Sequence, residues 1–242
     1  MLPAGIGEGD ANPDEPTTKA VHFTLDRASL NIWWTSGEVL WGLPLPGTRQ
    51  FGLLLKSLEP HGVTAREIIV ESPSKLLADV VLGLGLLSGE VRLLLSYTGF
   101  EISIDELLHH HLKSIVTIAG SAQASLTDFR EPDNAGSLTI RYAAHLHVGA
   151  NALEVILRNN LPVTDAALLP DAFAYTVSPP GRHDIQEVRA VIERSLRSPE
   201  NVYVEVTSKY YEFGFTEAFG AIMKEDILAT LQRCGLSNVA EA

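Results

Sequence analysis

The strongest constraint on the fold is a change in hydrophobic alternation between Gly89 and Glu106, in the stretch GEVRLLLSYTGFEISIDE. Apolar residues occupy odd positions in its first half and even positions in its second: Val91, Leu93, Leu95, Phe100, Ile102 and Ile104. Side chains alternate between the two faces of a strand, so a two-residue turn at Thr98-Gly99, which pairs Tyr97 with Phe100, returns both sets to one face. The stretch is therefore predicted to form a β-hairpin.

A similar pattern recurs downstream in PENVYVEVTSKYYEFGFTE, from Pro199 to Glu217, where Val202 takes the place of Val91. The segments before the two stretches also share an order of strand, Ser-Pro dipeptide and helix, with helices expected over Leu76–Leu87 and Asp184–Arg197. Self-similarity of this kind predicts a repeated structural unit, although an α+β chain rich in valine and leucine can show it by chance.

The full pattern predicts an α+β protein made of a tandem pair of related units, each roughly β-β-β-α-β-β-α, with a mainly antiparallel sheet covered by helices on one face. The first unit is expected over residues 20–126, a linker over 127–137 and the second unit over 138–242, with a final helix at 218–235. Residues 1–19 are rich in proline, glycine and acidic residues and predict a disordered tail. A site is expected first at the seam between the units.

Charge and hydropathy exclude two classes of partner. The chain has 30 Asp and Glu against 18 Lys and Arg, a formal charge of −12, which repels nucleic acid and anionic lipid. The longest apolar run, Leu76–Leu87, contains Asp79 and is much shorter than the roughly 20 residues that span a bilayer, so no membrane insertion is expected. The single cysteine, Cys234, and the absence of signal-peptide features at the N-terminus predict a cytoplasmic protein.

Two histidines suggest a metal site. His145 and His147 are two residues apart in AHLHVG, and on a strand this spacing points both imidazoles the same way. Glu154 could add a carboxylate, either as a third ligand or as a general base. The alternative is that both histidines lie on the solvated face of an antiparallel strand.

Aromatic residues mark a possible ligand or partner surface. The residues concerned are Trp33, Trp34, Trp41, Tyr210 and Tyr211. Adjacent residues on a strand face opposite ways, so one of Trp33 and Trp34 is expected in the core and the other on a second surface.

No complete catalytic motif is present, and the cofactor is left undefined. The leading hypothesis is a non-catalytic cytoplasmic binding or assembly protein that acts through a protein partner or self-association. The alternatives are a metal-dependent enzyme with a histidine site in the second unit and a small-ligand binding module that uses the seam between units.

Overall fold

Antiparallel strands dominate the computed structural model of the protein. It describes residues 21–37, 39–40, 42–63, 68–71, 80–108, 110–127, 136–149, 152–160, 172–179, 182, 184–198, 200–211 and 213–238. Within these residues the chain forms ten strands and four α-helices. Among the described helices, none is long and apolar enough to cross a bilayer.

Nine of the strands form one sheet, in the order β2-β3-β4-β5-β1-β6-β9-β8-β7, and all neighbours are antiparallel. The strands are β1 (Val21–Ser36), β2 (Ile68–Glu71), β3 (Val81–Leu86), β4 (Val91–Ser96), β5 (Gly99–Ile104), β6 (Gly136–His147), β7 (Ala172–Val177), β8 (Ile185–Arg194), β9 (Asn201–Tyr210) and β10 (Leu236–Asn238). The short β10 pairs in parallel with the start of β1. The helices are α1 (Arg49–Leu58), α2 (His111–Leu126), α3 (Ala152–Asn160) and α4 (Glu217–Arg233).

The two faces of the sheet differ because polar and apolar residues alternate along its central strands. On β1, Leu30, Ile32 and Trp34 are buried and belong to the same apolar cluster as residues of α1, α2 and α4. This side is called the helix face. The intervening Asn31 and Trp33 are partly exposed on the opposite side, which is called the open face.

Threonine caps begin two of the helices that cover the helix face. The Thr48 hydroxyl accepts a hydrogen bond from the Phe51 N–H at the start of α1, and the Thr216 hydroxyl accepts one from the Phe219 N–H at the start of α4. Each cap satisfies an amide that has no partner within its helix. The final helix expected at 218–235 is confirmed by α4.

The prediction of tandem related units is wrong, because one continuous sheet includes strands from both halves of the chain and β1 and β6 pair at its centre. The second expected hairpin is also wrong, since β9 continues through Lys209 and Tyr210, where a turn was expected. These residues pair with Thr139 and Leu138 of β6. The expected tail, 1–19, lies outside the described residues, as do positions 128–135 of the expected linker.

The two expected helices before the hairpins are wrong as well. Most of Asp184–Arg197 forms β8, and the described end of Leu76–Leu87 forms β3. Ile185, Val188 and Ile192 are buried at a spacing that also fits one face of a helix. A register shift at the start of β8 brings Ile185 to the helix face despite its odd position, so a bulged strand produced the helical pattern.

The first hairpin is confirmed as β4 and β5, but its turn lies at Tyr97-Thr98, and Leu95 pairs with Phe100. The Ser96 hydroxyl accepts a hydrogen bond from the Thr98 N–H at 3.3 Å and donates one to the Gly99 carbonyl at 3.2 Å. Serine therefore closes this turn through its side chain. Gly99 is the first residue of β5 and approaches β1 closely.

We expect Gly99→Ala to lower the free energy of unfolding by about 3 kcal/mol, because a disfavoured φ and a backbone clash act together. Gly99 has a φ of +152°, and a Cβ there would lie 1.9 Å from the Trp34 carbonyl oxygen. Gly52→Ala in α1 is the control, since nothing lies within 4 Å of its Cβ position and it should stabilise by about 0.5–1 kcal/mol. Urea unfolding measures both variants, and equal stability of Gly99→Ala and the wild type would refute the argument.

Candidate functional site

Ion pairs between neighbouring strands organise the open face around β6 and β9. Arg141 donates to the Glu205 carboxylate at 2.5 Å, and the Lys209 ammonium lies 2.5 Å from a Glu187 carboxylate oxygen. Burial opposes ionisation of Glu205, but the hydrogen bond and charge of Arg141 outweigh it and hold the pKa of Glu205 below its ordinary value. The charged side chains are thereby held in fixed positions on the sheet.

A cavity of about 200 Å³ opens beside these ion pairs and is called the arginine cavity. Its walls come from β1, the loop after β5, β6, the loop between β8 and β9, and β9. They are formed by Arg27, Ala28, Ser29, Asp105, Arg141, Ala143, His145, Arg197 and Tyr203. The cavity therefore depends on strand pairing and on a loop that returns to the end of the sheet.

Arg141 is the most constrained of the three arginines. Besides its bond to Glu205, its guanidinium donates to the Tyr203 hydroxyl at 3.4 Å, and that hydroxyl donates to Glu205 at 3.0 Å. The Arg141 Nε is buried and has no hydrogen-bond partner within the described part of the chain. A buried donor without an acceptor is costly, so the two bonds to Glu205 and Tyr203 carry the positioning of this side chain.

The other two arginines are held less tightly. Arg27 donates through Nε to the Asp105 carbonyl at 3.1 Å, and its guanidinium lies 3.5 Å from the exposed Glu106 carboxylate. Arg197 is exposed, and no ion pair connects its side chain to another of the described residues. Its backbone N–H donates to the Ser195 hydroxyl, which fixes the loop at the cavity rim.

His145 connects this loop to the sheet. Its Nδ1 lies 2.9 Å from the buried Ser195 hydroxyl, and its ring centroid lies 5.3 Å from that of Tyr203. Burial and the charges of Arg197 and Arg27 hold the pKa of His145 below its ordinary value, against an opposing effect of Asp26. His145 is thus a mainly neutral hydrogen-bonding group at neutral pH.

The structure does not assemble the expected metal site. His147 Nδ1 lies 3.1 Å from the Asn201 side-chain oxygen, and Asn201 donates in turn to Asp26 at 3.2 Å. Glu154 lies on α3 and is partly buried. Neither these side chains nor any others in the described ranges form a group of three His, Cys, Asp or Glu that could hold a metal ion.

A second concave region lies further along β1 on the open face. It has a volume of about 210 Å³, is called the Trp33 groove, and is lined by Trp33, Trp34, Thr35, Val81, Leu94, Ser96, Thr98, Gly99, Phe100 and Glu101. Trp33 is partly exposed there, whereas Trp34 is 3 % exposed and packs against Phe100 with ring centroids 5.6 Å apart. The expected division of the two tryptophans between core and surface is confirmed.

The remaining aromatic predictions have different outcomes. Trp34 and Tyr210 are buried in the core, so their side chains offer little surface to a partner; Tyr210 is 1 % exposed and donates to Asp226 at 2.8 Å. Tyr211 is 48 % exposed, just after β9. Trp41 lies outside the described residues.

Sequence reasoning missed the three arginines and Tyr203 of the arginine cavity. One signal was present, because Arg141 and His145 are four residues apart on the same strand and must share a face. The convergence of Arg27 and Arg197 on that face depends on strand pairing and loop closure, which no local pattern contains.

Comparison with known proteins adds no assignment to this geometry. The chain matches none of the protein-family models and none of the curated proteins with which it was compared.

We expect Arg197→Ala to raise the pKa of His145, because it removes a nearby positive charge and leaves the ring in place. While this pKa is depressed, the folded protein takes up the proton less readily than the unfolded chain, so acidification below the ordinary histidine pKa weakens the fold. Arg197→Ala should therefore lose less stability on acidification than the wild type does. NMR titration of the His145 ring measures its pKa in each variant. Arg194→Ala, outside the cavity, is the control. An equal His145 pKa in both variants would contradict an effect of the Arg197 charge.

Proposed function

We propose that the protein is a non-catalytic cytoplasmic binding protein that holds a partner protein on the open face of its sheet, with the Trp33 groove as the apolar anchor point. The observation that carries the proposal is the partly exposed indole of Trp33 at the middle of a large sheet. Tryptophan combines a large apolar surface with a polar N–H, and it is enriched among residues that dominate binding energy.

The surroundings of Trp33 support this role. Val81 and Leu94 are partly exposed apolar residues of the same groove, and Thr35 and Glu101 lie at its polar edge. An apolar centre inside a polar rim is the usual arrangement of a protein interface. Such a groove accepts an apolar side chain from a partner while the rim excludes water around it.

The rigidity of the site also favours binding. Trp33 pairs with Glu101 of β5 on one side and with Thr139 of β6 on the other, so both flanking strands fix its backbone. Its neighbour Trp34 anchors β1 in the core. A preformed surface loses little conformational entropy when a partner binds, which leaves more of the contact energy for affinity.

The alternatives from the sequence gain less support. A metal-dependent enzyme would need His145, His147 and Glu154 together, and the described residues contain no group of three His, Cys, Asp or Glu that could hold a metal ion. A small-ligand module at a seam between two units loses its premise, because the sheet is continuous. The arginine cavity is nevertheless of a size suited to a small group.

We expect Trp33→Ser to weaken partner binding by about 30-fold or more, the loss typical of a central tryptophan in an interface. Partners are captured on the immobilised wild-type protein, identified, purified and then titrated by calorimetry. Leu53→Ser removes a similarly exposed apolar side chain from α1 and should bind as the wild type does. Thermal unfolding confirms that both variants fold.

Two results would overturn this proposal. One is a purified partner that binds Trp33→Ser as tightly as it binds Leu53→Ser, which would place the interface elsewhere. The other is sedimentation showing that the wild type self-associates and that Trp33→Ser abolishes the association, since the open face would then serve a second copy of the chain.

A further inference from the structure

The arginine cavity concentrates guanidinium groups on the surface of an acidic protein. Three arginines line it, and the only carboxylate among its lining residues belongs to Asp105. The chain as a whole carries a formal charge of −12. Such a concentration of guanidinium donors favours an anion here over the rest of the acidic surface.

The charges of these arginines are unequally compensated. Arg141 is paired with Glu205, and Arg27 has a longer contact with Glu106. Arg197, at the rim, forms no ion pair with another of the described residues. The Arg197 guanidinium is therefore available to an incoming anion, because no carboxylate has to be displaced from it first.

Neutral hydrogen-bonding groups complete the lining. Ser29, Tyr203 and His145 line the same space, although the Tyr203 hydroxyl already donates its proton to Glu205. Guanidinium groups bind phosphate oxygens through paired N–H donors, and hydroxyl groups can donate to the oxygens that remain.

The size and construction of the cavity suit a compact anion. Its volume of about 200 Å³ is several times the roughly 30 Å³ that a water molecule occupies in the liquid. Arg27, Arg141 and Tyr203 come from β1, β6 and β9, three adjacent strands at the centre of the sheet. Side chains mounted on paired strands hold their donors in place before a ligand arrives.

We propose that the arginine cavity binds a phosphate group, carried by a small phosphate ester or by a phosphorylated side chain. Arg197, which forms no ion pair with another of the described residues, supplies the main counter-charge, while Arg27 and Arg141 contribute N–H donors beside their carboxylate partners and Ser29, Tyr203 and His145 line the remaining space. This site shares no lining residue with the Trp33 groove, and its test needs no partner protein.

The test is an NMR titration of the full chain with inorganic phosphate at about pH 7.5, where phosphate is largely dianionic. The ring signal of His145 is assigned through His145→Gln and followed to saturation. We expect a saturable shift and roughly tenfold weaker binding in Arg197→Ala, since one charge-assisted hydrogen bond to an anion typically accounts for a change of this size. Arg27→Ala should show a similar loss.

Arg194→Ala is the matched control, because Arg194 is another exposed arginine nearby but does not line the cavity. It should change phosphate binding less than twofold.

Glycerol phosphate and a blocked phosphoserine peptide then distinguish the two sources of the phosphate group. Tighter binding of the peptide assigns the site to a phosphorylated side chain, and tighter binding of glycerol phosphate assigns it to a small ester.

Three results would overturn the assignment. One is the absence of a saturable shift at tens of millimolar phosphate. Another is an equal shift caused by sodium chloride at the same ionic strength, which would indicate general screening. The third is equal phosphate affinity of Arg197→Ala and Arg194→Ala, which would place the anion outside the cavity.

Discussion

The antiparallel pairing of β1 with β6 is the constraint on which the rest of the structure depends. β5 joins the sheet through β1, and β9 joins it through β6, so the strands on either side are connected only by this central pair. Its ladder runs from Thr24 opposite His147 to Ser36 opposite Gly136. A one-residue slip would turn one of these strands over relative to the other, exposing its apolar side chains and burying its polar ones. The same register therefore fixes the core and positions the arginine cavity.

Local alternation predicted the fold where the two faces of a strand differ clearly, and it failed where bulges or glycines interrupted the pattern. The hairpin of β4 and β5 was predictable because its apolar positions change parity at a single turn. In β8, a bulge placed Ile185 on the same face as Val188 and Ile192, so the spacing of these apolar residues resembled that of a helix. In β3, Gly83 and Gly85 have little helix propensity, but they lie in a short apolar run that suits a strand or a buried helix equally.

The candidate sites were less predictable than the fold because their residues meet only after strands pair. Arg27 and His145 become direct neighbours through the β1–β6 ladder, and Arg197 reaches them from a loop on the far side of β9. A single strand indicates which residues share a face, but not which strand will lie beside it. The Trp33 groove was partly foreseen, since adjacent tryptophans on a strand must separate, and the shared parity of Leu30, Ile32 and Trp34 was the local signal that Trp34 would be the buried one.

The open face combines two kinds of site because its apolar and charged regions are separated along the strands. Ser29 in the arginine cavity and Trp33 in its groove are four residues apart on β1, roughly 13 Å along an extended strand. The cavities share no lining residue, and at such a separation the effects of substitutions are usually additive. Arg141 and Glu205 neutralise each other between the strands, which limits the field that either site exerts on the other. Loss of the apolar contact at Trp33 should thus leave the anion site intact, and loss of Arg197 should leave the groove intact.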